Sequence, residues 1–96
     1  MNKNYRYYVD ASHGWMAVKR ADLIDLGITS QISRCSYQKG KTVYLEEDCD
    51  MSLFLDTAKA NGWNVTYKTI HHNDRVGQSG SSPIRNYDNY QVLFAA

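Results

Sequence analysis

Met51, Phe54, Leu55 and Ala58 fall at i, i+3, i+4 and i+7. This spacing gathers four apolar side chains on one face of an α-helix. A helix this short is not stable alone in water, so the stripe demands a second surface to cover. Asp50 stands just before the run as the expected N-cap, with neighbouring acids suited to the positive end of the helix dipole. Asn61-Gly62 is the expected stop.

Strands are the other kind of element that the sequence offers. Tyr5-Arg6-Tyr7-Tyr8-Val9 is aromatic and β-branched, and Trp15-Met16-Ala17-Val18 resumes the extended pattern after Ser12-His13-Gly14. Residues 5–18 therefore read as a β-hairpin, with Gly14 supplying a positive φ in the turn. Arg20–Leu26 is amphipathic and closed by Gly27, with Ile28 placed to fold back on it. Ile32–Tyr37 and Thr42–Leu45 flank the polar turn Gln38-Lys39-Gly40-Lys41 as a second hairpin. Trp63 to Ile70 alternates, with Trp63, Val65, Tyr67 and Thr69 on one side and Asn64, Thr66 and Lys68 on the other, which predicts one buried and one wet face. Residues 71–82 are rich in Asn, Asp, Gly and Ser and read as a flexible loop. Gln91 to Phe94 is a last strand or a docked tail. The expectation is one α+β domain over residues 1–96, mainly antiparallel sheet with two helices, in the order β-β-α-β-β-α-β plus a C-terminal tail.

Composition agrees with a folded chain: 43% of the 96 residues are apolar and 12% are aromatic, enough to build a core without staples. Eight tyrosines exceed what one small core hides, because each buried hydroxyl needs a partner; some must be surface contact residues. A net charge of +1 argues against a dedicated duplex-binding module. Cys35 and Cys49 are too few for a disulfide scaffold and read as free, partly buried thiols in a reducing compartment. With no leader pattern and no apolar run of bilayer length, the expected location is the cytoplasm.

Glu46, Glu47, Asp48 and Asp50 place four of the ten acids in five residues. Three readings follow: a divalent-ion site, a solvated helix-capping turn, or an acidic contact surface for a basic partner. Calcium-loop spacing is lacking, and consecutive strand residues point apart, so the four carboxylates do not all converge. His71, His72 and Asp74 offer fragments of a metal or acid–base site without a third ligand at suitable spacing. An enzyme would need His13, His71 or His72 to meet a cysteine or carboxylate in space. Glycine-rich phosphate loops, zinc spacings and nucleophile elbows are lacking. No catalytic residue, metal or cofactor is therefore expected. Aromatic and basic residues interleave at Tyr5–Tyr8 and again from Arg85 through Tyr87 to Tyr90, the mixture that a platform for single-stranded nucleic acid needs.

Four stretches taken in order carry a resemblance: His13-Gly14-Trp15 with Leu26-Gly27-Ile28; Ser36-Tyr37; Tyr44-Leu45-Glu46-Glu47-Asp48-Cys49-Asp50; and Pro83-Ile84-Arg85-Asn86-Tyr87. The pattern resembles a family of small, mostly uncharacterised proteins carried by bacteriophages and other mobile elements. The resemblance implies a non-enzymatic, anti-CRISPR-like inhibitor that binds and blocks a host defence protein or ribonucleoprotein, such as a CRISPR effector. Its expected contact residues are Glu46, Glu47, Asp48 and Asp50, with Tyr37, Tyr44, Arg85 and Tyr87 as neighbours. The alternative is a single-stranded nucleic-acid-binding accessory protein using Tyr5 to Tyr8, Lys19, Arg20 and Arg85. Surplus tyrosines and an edge strand also invite homodimerisation.

Overall fold

The α2 stripe finds its cover on one face of a six-stranded sheet. A computed structural model describes residues 1–72 and 82–92. Its elements are β1 (Asn2–Val9), β2 (Gly14–Lys19), α1 (Arg20–Leu26), β3 (Tyr37–Lys39), β4 (Thr42–Glu46), α2 (Met51–Ala60), β5 (Asn64–His71) and β6 (Asp88–Asn89), with 3-10 turns at Thr29–Gln31 and Pro83–Asn86. The sheet order is β5-β1-β2-β4-β3-β6. Strands β1 and β5 pair in parallel and every other pair is antiparallel. The expected α+β class and element order hold. No helix among the described residues is long and apolar enough to cross a membrane.

Strand alternation sets what each face carries. Met16 and Val18 of β2 sit opposite Leu45 and Val43 of β4, and all four are buried. Phe54 and Met51 of α2 and Leu23 of α1 join them, with Ile28, Ile32 and Tyr90 closing the cluster. Tyr5 packs edge-on against Phe54 at 5.4 Å. Its hydroxyl donates to Asp22 at 2.8 Å, and Lys3 reaches the other oxygen of that buried carboxylate at 3.2 Å. Burial, and then the Asp22 carboxylate, push the Tyr5 hydroxyl's pKa upward. A buried charge on α1 is thereby satisfied from β1, which locks helix to sheet.

Both helices stop by the same device. Gly27 and Gly62 take φ of 70° and 76°, and the next residue donates back: Ile28 to Leu23 at 3.1 Å and Trp63 to Ala58 at 2.9 Å. These are the bonds that satisfy orphan C-terminal carbonyls beyond a left-handed residue. In the second hairpin Gly40 has φ of 59° while Lys41 does not, as a two-residue II′ turn requires.

Several expectations change. Gly14 is not a positive-φ residue; it begins β2 because the Tyr7 ring crosses it, and a Cβ there would overlap that ring. The Tyr7 hydroxyl passes over Gly14 to bond the Glu47 carboxylate. Residues 32–36 are not strand, and β3 begins only at Tyr37, because the preceding turn is held by side chains rather than a ladder. Strand β5 is exposed along most of its length. Its inner row is wetter than alternation implied because it is an edge strand, and Tyr67 stays 50% exposed. The expected 71–82 loop lies largely outside the described residues, although His71 still belongs to β5. Phe94 of the expected tail lies outside them too.

Gly14→Ala is expected to destabilise the fold by about 1–3 kcal/mol through overpacking against Tyr7. In chemical denaturation, much of that loss should disappear when Tyr7→Ala is combined with it, since the clashing ring is then gone.

Candidate functional site

Among the described residues, no α-helix lies on the opposite face of the sheet. Register defines its central lateral row: Lys68 of β5, Arg6 of β1, Ala17 of β2, Tyr44 of β4, Tyr37 of β3 and Asn89 of β6. On one side of that row lie Thr66, Asn4, Lys19, Thr42 and Lys39. On the other lie Ile70, Tyr8, Trp15 and Glu46. Arg6, Lys19, Lys39 and Lys68 are all exposed. Among the described strand residues, Glu46 is the only carboxylate on this face, and it is buried at one end. This face of the sheet is therefore locally cationic although the chain is nearly neutral.

Aromatic rings run across the same face. Tyr8 stacks on His72 at 4.7 Å and meets Tyr44 at 6.3 Å, and Tyr44 meets Tyr87 at 5.2 Å. Lys39 lies 4.8 Å from the Tyr87 ring centre. Burial, then the neighbouring tyrosines, raise the pKa of Tyr44, so it stays a neutral ring and donor. Of the eight tyrosines, all among the described residues, Tyr90 alone is fully buried.

The segment around Pro83–Asn86 covers one end of this face. Ile84 is buried, and the Arg85 guanidinium lies 5.3 Å from the Trp15 ring centre. Asp10, in the loop between β1 and β2, holds that segment in place. Its carboxylate accepts from Arg85 Nε at 2.6 Å and Nη2 at 3.0 Å, and from the Ser82 amide at 2.8 Å. It also accepts the Ser12 and His13 amides, each at 3.0 Å. The Asp10 side chain is wholly buried, and its Arg85 partner about one-third exposed. Arg85 first, with the amides adding, holds the Asp10 carboxyl far below the usual carboxylate range against the cost of burial.

A cleft of about 270 Å³ adjoins this end, lined by His13, Glu46, Asp48, Cys35 and Cys49 with the Trp15 and Tyr37 rings and Arg85, whose charge is already paired with Asp10. The turn after β4 returns tightly: the amides of Cys49 and Asp50 both donate to the Glu46 carbonyl. Glu46 Oε2 accepts the Asp48 amide at 2.7 Å while Oε1 faces His13 Nδ1 at 3.0 Å, an ion pair when the imidazole is protonated. Cys35 and Cys49 are free and exposed, not partly buried as expected.

The structure divides the acidic run rather than presenting it whole. Asp50 makes no capping bond with its side chain. It is buried and accepts from the Ser33 amide and hydroxyl at 3.0 and 2.8 Å, and from the Ser36 hydroxyl. The three-bond brace on the 33–36 turn outweighs a single capping bond. Glu46 is likewise buried, so only Glu47 and Asp48 point outward. Arg85 is committed to Asp10. Arg20 bonds Gln38 and the Gln91 carbonyl at 2.7 and 3.1 Å and is half-buried, so it is not an open cation. Tyr37, Tyr44 and Tyr87 are half-buried on the open face. Asp10 was not singled out by sequence, because an isolated aspartate in a turn looks like any other Asx-turn residue. His71 is exposed, while His72 Nδ1 lies 2.6 Å from Ser82 Oγ; Asp74 lies outside the described residues. No protein-family model, curated protein or solved structure matches this chain.

Because the folded Asp10 carboxyl titrates below its unfolded value, its contribution is present above about pH 4 and is lost as pH falls further. Asp10→Asn should cost about 3 kcal/mol at pH 7, since it leaves Arg85 without its charge partner. Thermal unfolding followed from pH 6 to pH 3 should show a shallower decline for that variant than for the parent chain.

Proposed function

We propose that this protein binds single-stranded nucleic acid on the face of its sheet opposite the two helices. The observation that carries the reading is the placement of Arg6, Lys19, Lys39 and Lys68 around the Tyr8–Tyr44–Tyr87 row. These half-buried rings leave part of their surface open to unstacked bases, and flanking cations neutralise phosphates. The arrangement needs only a local excess of positive charge, so the +1 total is no obstacle. A flat sheet face of this width suits a single strand better than a duplex, whose bases are already stacked on one another.

The inhibitor reading, in which the chain blocks a host defence complex through its acidic turn, has less geometric support. Two of its four carboxylates are internal and bonded, leaving Glu47 and Asp48 at the surface. Tyr7 also engages Glu47. An inhibitor acting by nucleic-acid mimicry would want those charges free.

Anisotropy of a labelled oligothymidine or oligouridine should report binding at low salt, with log K falling against log salt at a slope of roughly −3 if all four cations meet phosphates. Arg6→Glu with Lys68→Glu should remove most of that binding without unfolding the chain, because both residues are exposed. Tyr8→Ala should cost about 1–3 kcal/mol if a base stacks there. Absence of any anisotropy change at low salt would refute the proposal.

A further inference from the structure

The geometry points to a binding site for a borderline divalent transition metal of the zinc type, formed by His13, Glu46 and Asp48 with sulfur from Cys49 or Cys35. Ligand atoms of the first three lie within 4.8 Å of one another. An ion bound at about 2.1 Å to each donor would hold them roughly 3.5 Å apart, so any wider pair must close in while His13 Nδ1 and Glu46 Oε1, now 3.0 Å apart, must part slightly to admit the ion. Two of the donors are free to do this: the His13 side chain is 41% exposed and Asp48 is exposed. Glu46 is the fixed point, at the end of β4 with its side chain 9% exposed.

Donor chemistry selects the class of ion. Calcium and magnesium prefer shells of oxygen, whereas one imidazole, two carboxylates and a thiol form the mixed set that zinc accepts with four ligands. Both cysteines line the same cleft, and one of their sulfurs would have to swing in to join the three donors, since neither lies within the 4.8 Å group. The turn that carries Cys35 is tied to the start of α2 through Ser33, Ser36 and Asp50, which sets it beside the turn carrying Cys49.

The site adjoins the nucleic-acid face at Trp15 and Glu46, but its test reads metal uptake and does not require nucleic acid to bind. Reduced full-length protein titrated with zinc chloride in a calorimeter should take up one ion per chain, while magnesium chloride should give no heat of binding. Cobalt(II) added in place of zinc should produce a thiolate charge-transfer absorption that is lost in the Cys35→Ser, Cys49→Ser double variant. Asp48→Asn and His13→Gln alter exposed or half-exposed positions; each should weaken zinc binding at least about tenfold, with circular dichroism confirming the fold. No zinc uptake by the reduced parent chain, or uptake unchanged in both single variants, would overturn the site. A cobalt complex without thiolate absorption would overturn its sulfur donor.

Discussion

The Asp10–Arg85 pair is the interaction on which the back of this protein depends. A carboxylate with no solvent exposure is costly unless each of its oxygens is occupied. Here one oxygen takes two loop amides and one guanidinium N–H, and the other takes the Ser82 amide and the second guanidinium N–H. One residue thus shapes the β1–β2 loop and anchors a segment seventy-five positions away in sequence. Trp15 is buried on a face that would otherwise be open because that segment lies over it. His13 is carried by the same loop, so its position beside Glu46 follows from the same constraint.

What remains uncovered acquires its character from strand alternation. Residues of β1 that point toward the helices are Tyr5 and Tyr7, which spend their hydroxyls on Asp22 and Glu47. Residues that point away are Arg6 and Tyr8, beside Lys68 and Ile70 of the parallel neighbour β5. The helical side therefore holds much of the acidic charge, including Asp22, Asp25 and Asp56 on the helices themselves. The open side holds cations between aromatic rings. A single-stranded polyanion and a borderline metal ion ask for different surfaces, and the sheet end near Trp15 is where the two candidate sites meet.

Local patterns carried far where the physics was local. The i, i+3, i+4, i+7 stripe, the two glycine helix stops and the glycine-containing hairpin turn all appear where their residues require them. Charge placement did not follow so directly. Asp50 has the right type and position for a helix cap, yet two serines and a backbone amide from the 33–36 turn claim its carboxylate first. Gly14 sits in a turn as glycines often do, yet its lack of a Cβ serves the Tyr7 ring. In each case a non-local partner overrode a sound local preference.

By itself the amino-acid sequence determined the element order, the faces of α2 and the alternation of β1 and β2, because these depend on residue spacing along one short segment. Only the tertiary structure decided which carboxylates are surface and which are scaffold. That outcome depends on partners separated by fourteen to seventy-five residues, as in Ser36–Asp50 and Asp10–Arg85. It also decided that β5 pairs in parallel at the sheet edge, placing Lys68 beside Arg6. Spacing along a chain dictates which way a side chain points; burial and charge pairing depend on what the fold brings to meet it.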